Sequence, residues 1–81
     1  MIVVELFSKD DCHLCDEAKE VLEKVKREIP FHLKEVKLAP GTPEYDEYKE
    51  MIPVVRVNGN LAFKYQVNTN ALRRILRECL S

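Results

Sequence analysis

One stretch of the chain, residues 2–18, reads IVVELFSKDDCHLCDEA and passes from one type of secondary structure to another. Its first six residues are mostly β-branched or aromatic, which is typical of a strand, and the polar residues after them are typical of a turn. From Cys12 to about Glu28 apolar residues recur at helical spacing, and Pro30 prevents a longer helix. Cys12 and Cys15 are therefore expected where a strand leads into a helix.

A second strand and a second helix follow in the same order. Phe31–Leu38 suits a strand, although the apolar positions change parity between Leu33 and Val36, which indicates either a bulge or burial on both faces. Thr42 supplies a capping hydroxyl before Pro43, and proline is suited to the first position of a helix. A short helix is therefore predicted from there to about residue 50.

A hairpin and a final helix complete the pattern. Val54–Val57 and Leu61–Tyr65 are predicted strands on either side of Asn58-Gly59, a dipeptide that suits a two-residue hairpin turn. One of residues 68–70 is expected to cap the last helix. The predicted order is βαβαββα, which gives an α/β fold with a four-stranded mixed sheet and helices on both faces.

Length and charge limit the classes of protein to which the chain can belong. With 81 residues, 46% of them hydrophobic and 33% charged, a single folded domain over residues 1–81 is expected. The net charge of -1 leaves no broad basic surface for nucleic acid or an anionic membrane. The opening apolar stretch is interrupted by Glu5, so it predicts neither a signal peptide nor a membrane span. We expect a cytoplasmic monomer without nucleic-acid or membrane partners.

The two close cysteines carry the chemistry that the sequence predicts. A Cys12 thiol at a helix N-terminus faces unpaired backbone N–H groups and the positive end of the helix dipole, which stabilise its thiolate. That thiolate can attack a disulfide, and Cys15 can then displace the mixed disulfide and release the reduced substrate. A protonated His13 would stabilise the thiolate further, whereas the nearby Asp10, Asp11 and Asp16 oppose it.

Other interpretations of these residues remain open at this point. The pair could be half of a zinc site, for which His13, His32 and Cys79 are the remaining candidates, although their spacing is not that of paired ligands. It could also hold an iron-sulfur cluster shared between two chains. Cys79 falls on the apolar face of the last helix and is expected to be a small core residue, with a regulatory thiol as the alternative. Tyr45 and Tyr48 are expected to be packing residues.

A second signal is Met51-Ile52-Pro53, where a proline begins a hydrophobic strand after the Cys-x-x-Cys motif. At this point the chain resembles the thioredoxin superfamily, and over essentially its whole length it is similar to glutaredoxins. The Cys-His-Leu-Cys-Asp run looks like a small glutaredoxin-like subfamily. The resemblance implies a thioredoxin-like fold of glutaredoxin type and a cis Ile52-Pro53 bond beside the thiols. It also implies that the Ile52 backbone pairs with substrate and that Lys9 holds a glutathione carboxylate.

Two places depart from the glutaredoxin pattern. His13-Leu14 stands where glutaredoxins typically carry a proline and an aromatic residue, and residues 66–70, QVNTN, stand where a Gly-Gly and acidic residues dock glutathione. Backbone N–H groups of the last helix can still bind a carboxylate. The substrate-binding residues predicted by motif and resemblance are Lys9, His13, Leu14, Ile52, Pro53, Thr69 and Asn70.

The sequence and the resemblance together predict a thiol-disulfide oxidoreductase. Cys12 and Cys15 would be its catalytic residues and its redox-active disulfide, and its substrates would be protein or low-molecular-weight disulfides. Glutathione or a reductase would supply the electrons, with no metal and no bound cofactor, and glutathione would serve as a co-substrate. The alternatives are a metal or iron-sulfur binding module and an electron relay with one dedicated partner.

Overall fold

The computed structural model of the protein describes residues 1–81, and its helices and strands follow the predicted order. In chain order they are β1 (Val3–Ser8), α1 (His13–Glu28), β2 (His32–Lys37), α2 (Pro43–Tyr48), β3 (Val54–Val57), β4 (Asn60–Lys64) and α3 (Thr69–Leu80). The α/β architecture is confirmed, and the element boundaries lie close to those that the sequence predicts. None of the helices has the length and apolar composition needed to span a membrane.

All strands join one mixed sheet in the order β2-β1-β3-β4. β1 runs parallel to β2 and antiparallel to β3, and β3 and β4 form the predicted hairpin. Asn58 and Gly59 both have positive φ angles, 50° and 83°, as a two-residue hairpin turn of this kind requires. The loop that leads to Cys12 therefore leaves the sheet at the end of β1, one of its two inner strands.

Helices α1 and α3 cover one face of the sheet and enclose the larger core. Alternate β1 residues such as Val4 and Leu6 point to this side and are fully buried, because side chains of a strand alternate between faces. They pack against Leu22 and Val25 of α1 and against residues of α3. The buried members of this core are Ile2, Val4, Leu6, Ala18, Leu22, Val25, Ile29, Phe31, Val55, Val57, Leu72 and Leu76.

A smaller core lies on the opposite face, under α2. Its buried members are Phe7, Cys15, Leu38, Tyr48, Ile52 and Val54. The Phe7 and Tyr48 rings lie 5.2 Å apart between centroids, a separation typical of aromatic pairs. Tyr45 is partly buried against the same core, so both tyrosines are confirmed as packing residues. Because Cys15 and Ile52 belong to this core, it also supports the region around the thiols.

Strand β2 resolves the two alternatives that its sequence left open. Its pairing with β1 proceeds residue by residue without a register shift. Leu33 packs against the larger core and Val36 against the smaller one, so the change of parity reflects burial on both faces. The irregularity of the sheet lies elsewhere, between Val55 and Arg56 in the pairing of β3 with β4.

The expectation that Cys79 is a core residue is wrong, because its side chain is exposed. The buried residues of α3 are Leu72 and Leu76, and every residue after Leu76 is exposed. The Cys79 sulfur lies 3.7 Å from the side-chain nitrogen of Asn58 in the hairpin turn. Helical periodicity placed Cys79 on the correct face, but the core ends before the helix does.

Candidate active site

Cys12 is the N-cap residue of α1, one position before the first helical residue. Its backbone is extended, with φ -116° and ψ 104°, and its Sγ accepts a hydrogen bond from the Cys15 N–H at 3.3 Å. The preceding Asp11 has φ 54°, a left-handed conformation that asparagine and aspartate adopt more readily than most residues. The Cys12 sulfur therefore accepts from an N–H that has no carbonyl partner within the helix, and negative charge is stabilised at this position.

Cys15 lies in the first turn of α1 and differs from Cys12 in exposure. Cys12 is half-buried, whereas Cys15 is only 3% exposed and packs in the smaller core. The pKa of the Cys15 thiol is raised from its ordinary 9.0 to about 11. Burial is the largest cause and a hydrogen bond with Cys12 is the next, while the backbone of Lys9 and the charge of Lys37 act in the opposite direction. The accessible sulfur is therefore that of Cys12, and Cys15 holds its proton.

The peptide bond between Ile52 and Pro53 is cis, as the resemblance implied. Cys12 packs against the smaller core, to which the buried Ile52 belongs, so the loop lies beside the thiols. The carbonyls of Met51 and Pro53 both accept from the Tyr65 N–H, at 3.1 and 2.9 Å. The Ile52 N–H and carbonyl form no hydrogen bond within the chain, which leaves them free to pair with another chain.

The remaining predicted site residues fall into two groups. Lys9 and Leu14 are exposed beside the cysteines, and the His13 Nε2 lies 3.6 Å from Glu17 Oε1, one helical turn further along α1. Thr69 and Asn70 occupy the first turn of α3, where the Asn70 side-chain oxygen accepts from Arg73 Nη1 at 3.0 Å. Lys9, His13 and Leu14 therefore lie next to the cysteines in the sequence, whereas Thr69 and Asn70 belong to α3.

A groove beside Leu14 contains residues that the sequence analysis did not single out. It lies between α1 and the segment after β4 and has a volume of about 140 Å³. Neither Thr69 nor Asn70 lines it. No local pattern marked Tyr65 as more than the end of a strand, because its position in the groove depends on how α1 packs over the sheet. The residues that line the groove are Leu14, Glu17, Ala18, Val21, Tyr65, Gln66 and Val67.

The donor set of a zinc site is incomplete within the chain. The structure contains no group of three or more His, Cys, Asp and Glu side chains that could hold a metal ion. Structural zinc sites usually have four such ligands, and Cys12 and Cys15 supply only two. His13, His32 and Cys79 are not brought together with them.

Comparison with solved structures supports the fold. The X-ray structure of Northeast Structural Genomics target protein XcR50 from X. campestris is 25% identical, with a TM-score of 0.76 over 93% of this chain and 96% of that one. Thioredoxin-2, a component of the malaria parasite protein secretion machinery, is 15% identical, with a TM-score of 0.74 over 96% of this chain and 82% of that one.

Glutaredoxin 1 from Francisella tularensis, solved in complex with cacodylate, has a TM-score of 0.59 at 14% identity, covering 99% of this chain and 98% of that one. At such low identity the likeness to it and to thioredoxin-2 concerns the fold alone. The family comparison is more specific, because residues 3–77 match the model described as Glutaredoxin-like domain (DUF836). This match includes the Cys-x-x-Cys motif, the cis proline and every strand of the sheet, and the chain belongs to this family of glutaredoxin-like domains.

Proposed function

We propose that the protein is a thiol-disulfide oxidoreductase that reduces protein or low-molecular-weight disulfides. The observation that supports this best is the unequal placement of the two thiols. Cys12 is accessible and caps α1, while Cys15 is buried one turn later and donates its backbone N–H to the Cys12 sulfur. This is the arrangement that a nucleophilic thiol and a resolving thiol require.

In the first step the Cys12 thiolate attacks one sulfur of the substrate disulfide. A bond forms between Cys12 Sγ and that sulfur, the substrate disulfide bond breaks, and the departing thiolate takes up a proton. The hydrogen bond from the Cys15 N–H and the N-terminal end of α1 stabilise the attacking thiolate. The Ile52 backbone, which has no partner within the chain, would hold the substrate segment beside Cys12.

In the second step Cys15 loses its proton and attacks the Cys12 sulfur of the mixed disulfide. The second substrate thiolate leaves and is protonated, so the substrate gains two electrons and two protons while Cys12 and Cys15 become a disulfide. Both the hydrogen bond with Cys12 and the Cys12 charge raise the pKa of Cys15 in the dithiol. Once Cys12 is part of a mixed disulfide these two causes are lost, and burial alone still raises the pKa of Cys15, against the Lys9 backbone and the Lys37 charge. The Cys15 proton is therefore released more readily at the stage that needs it.

The same proposal covers the electron donor and the cellular setting. Glutathione or a reductase would reduce the Cys12–Cys15 disulfide, with glutathione as a co-substrate and no resident cofactor. Lys9, exposed beside Cys12, would contact a substrate carboxylate, and Thr69 and Asn70 would contribute N–H groups from the start of α3. We place this monomeric activity in the cytoplasm, where close cysteine pairs serve catalysis more often than they serve as structural disulfides.

The decisive measurement is the reduction potential of the Cys12–Cys15 pair in glutathione buffers. Mass-tagged thiols report the fraction oxidised, in a Cys79→Ser background that removes the exposed third thiol. We expect a potential between the roughly -200 to -230 mV of glutaredoxins and the roughly -270 mV of thioredoxin. The matched control is Cys12→Ser in the same background, which should form no such disulfide.

A Cys12–Cys15 disulfide that fails to form at any potential would contradict the proposed function. Metal and iron analysis of the purified protein would then test the binding-module interpretation. A disulfide that forms at a measurable potential but turns over no generic substrate would instead favour a relay with one dedicated partner.

A further inference from the structure

The groove beside Leu14, the residue that precedes Cys15, is too small for a whole ligand. Its volume of about 140 Å³ is well below the roughly 300 Å³ at which small-molecule pockets begin. Five of its seven lining residues are hydrophobic, Leu14 and Val21 among them, although polar atoms form slightly more of its exposed surface than apolar atoms do. A space of this size and character suits a single apolar side chain of a larger partner.

Tyr65 forms one wall of this groove in an unfavourable backbone conformation. Its φ of 70° is rare for a residue with a bulky side chain. The Tyr65 N–H is directed at the carbonyls of Met51 and Pro53, which lie on either side of the unpaired Ile52 backbone. Tyr65 nevertheless remains 49% exposed, so burial of its side chain does not explain why a tyrosine occupies this position. Unfavourable backbone conformations of this kind cluster at functional sites.

The charge of the groove is set by one residue. Glu17 is the only charged residue that lines it, and its side chain is 57% exposed. Asp16 precedes it in the first turn of α1, and Asp10 and Asp11 are exposed in the loop before Cys12. Lys9 and His13 are the basic residues next to these carboxylates in the sequence, and the carboxylates outnumber them.

We propose that this groove is a side-chain subsite of the redox site. It accepts an apolar residue adjacent to the reacting cysteine of an extended protein segment, and Glu17 at its rim favours a basic residue next to that apolar one. The inference rests on the proposed function and narrows its substrates to disulfides within apolar and basic protein segments. Glutathione offers no apolar side chain for the groove and carries a net negative charge, so as a co-substrate it would react at Cys12 without filling the groove.

The test uses peptides that share one mixed disulfide and differ at the two positions after the reacting cysteine. The first position is leucine or alanine, and the second is lysine or glutamate. We expect kcat/KM about threefold to tenfold higher for leucine than for alanine, because one apolar side chain fills a groove that is half open. We expect a similar preference for lysine over glutamate that weakens between about 0.05 and about 0.5 M salt, since an exposed charge is screened.

Two variants assign these preferences to particular residues. Glu17→Lys should reverse the order of the lysine and glutamate peptides, whereas Glu20→Lys, the same charge change at an exposed position of α1 outside the groove, should leave that order unchanged. Tyr65→Gly should reduce the preference for leucine over alanine to about one. Glycine adopts positive φ without penalty, so this variant is expected to fold.

Several outcomes would overturn the subsite. They are equal kcat/KM values for all peptides, an unchanged order in Glu17→Lys, and faster reduction of a glutathione mixed disulfide than of any peptide. Each of these leaves a working Cys12–Cys15 cycle in place and so leaves the proposed function intact. If the Cys12–Cys15 disulfide itself never forms, the proposed function fails first, and the subsite fails with it.

Discussion

At the scale of single residues, position on α1 separates two chemically identical side chains. Cys12 caps the helix from outside, and Cys15 faces inward toward Phe7 and Tyr48 in the smaller core. The sequence motif predicts that the pair is reactive and which thiol attacks. It does not predict how strongly Cys15 is held in its protonated form, because that depends on burial by residues that are distant in the sequence.

The buried thiol of Cys15 should make folding stability depend on pH at the alkaline end. Its pKa is raised from 9.0 to about 11, so between these values the native state keeps a proton that the unfolded state has lost. Stability from this group is therefore complete below about pH 9 and is lost as the pH rises toward about 11. The loss should be of the order of 2 kcal/mol.

Urea unfolding of the reduced protein between about pH 8 and about pH 11, the interval that brackets this pKa shift, measures the loss. Cys15→Ala is the matched control, because it lacks this thiol and keeps every lysine and tyrosine that titrates in the same range. The wild-type protein should lose more stability over the interval than the variant does. Parallel pH profiles for the two proteins would mean that Cys15 is not held in its neutral form.

The backbone conformation of Tyr65 and the exposure of Cys79 are two residue-level features that the sequence did not predict. Each residue has an ordinary place in its local pattern, one at the end of a strand and the other on a helix face. The positive φ of Tyr65 accompanies hydrogen bonds from its N–H to carbonyls that precede it by more than ten residues, and Cys79 is exposed because the buried part of α3 ends at Leu76. Neither fact can be derived from local propensity, since both depend on tertiary packing.

At the scale of elements, local signals were sufficient for most of the fold. Helical spacing predicted α1, Thr42 and Pro43 predicted the start of α2, and Asn58-Gly59 predicted the turn between β3 and β4. These signals act within a few residues, so packing did not override them. The order of strands in the sheet follows from general rules of connection rather than from any one residue.

The N-cap role of Cys12 predicts a difference between two inactive variants. Cys12→Ser keeps an acceptor for the Cys15 N–H, and serine is among the preferred N-cap residues. Cys12→Ala removes the acceptor and should be less stable than Cys12→Ser by about 1 kcal/mol. Chemical denaturation in a reducing buffer measures both. Equal stability of the two variants would show that the contact at Cys12 contributes nothing to the start of α1.

The pairing of β1 with β3 includes an ion pair whose contribution can be isolated. Glu5 and Arg56 are direct partners across the two strands, joined by hydrogen bonds of 3.1 Å from Nε and 3.0 Å from Nη2. The Glu5 hydrogen bond raises the pKa of Arg56, and the guanidinium lies 4.6 Å from the centroid of the Phe7 ring. The Arg56 side chain is 27% exposed and the Glu5 side chain is 17% exposed, so this ion pair is intermediate between a surface pair and a buried pair.

A double-mutant cycle with Arg56→Met and Glu5→Gln should give a coupling energy of about 1 to 2 kcal/mol. The loss of contact between Arg56 and the Phe7 ring occurs in both branches of the cycle and cancels. Arg56→Met alone should be more destabilising than the double variant, because it leaves a partly buried carboxylate without its partner. A coupling energy near zero would show that solvent screens the pair as it would on an open surface.

At the scale of the whole molecule, the sheet separates two cores with different roles. The larger core joins the sheet to α1 and α3 and contains neither Cys12 nor Cys15, whereas the smaller one contains Cys15 and Ile52. Protection of the Cys15 thiol should therefore depend on packing under α2 more than on total stability. Two substitutions that lower the free energy of unfolding by comparable amounts, one in each core, distinguish protection by local packing from protection by the fold as a whole.

Tyr48→Leu removes buried side-chain volume from the smaller core, and Leu76→Val removes it from the larger one. Each is expected to lower the free energy of unfolding by about 1 to 2 kcal/mol. Global unfolding exposes Cys15 equally in two variants of equal stability, so any difference in its alkylation rate under native conditions must come from local opening. We expect Cys15 to react several times faster in Tyr48→Leu, because the ring that packs against Phe7 beside it is gone. Peptide mass analysis after timed alkylation, with urea unfolding to match the stabilities, measures this. Equal rates at equal stability would mean that the thiol is protected only by the fold as a whole, and α2 would then have no separate role in holding the site.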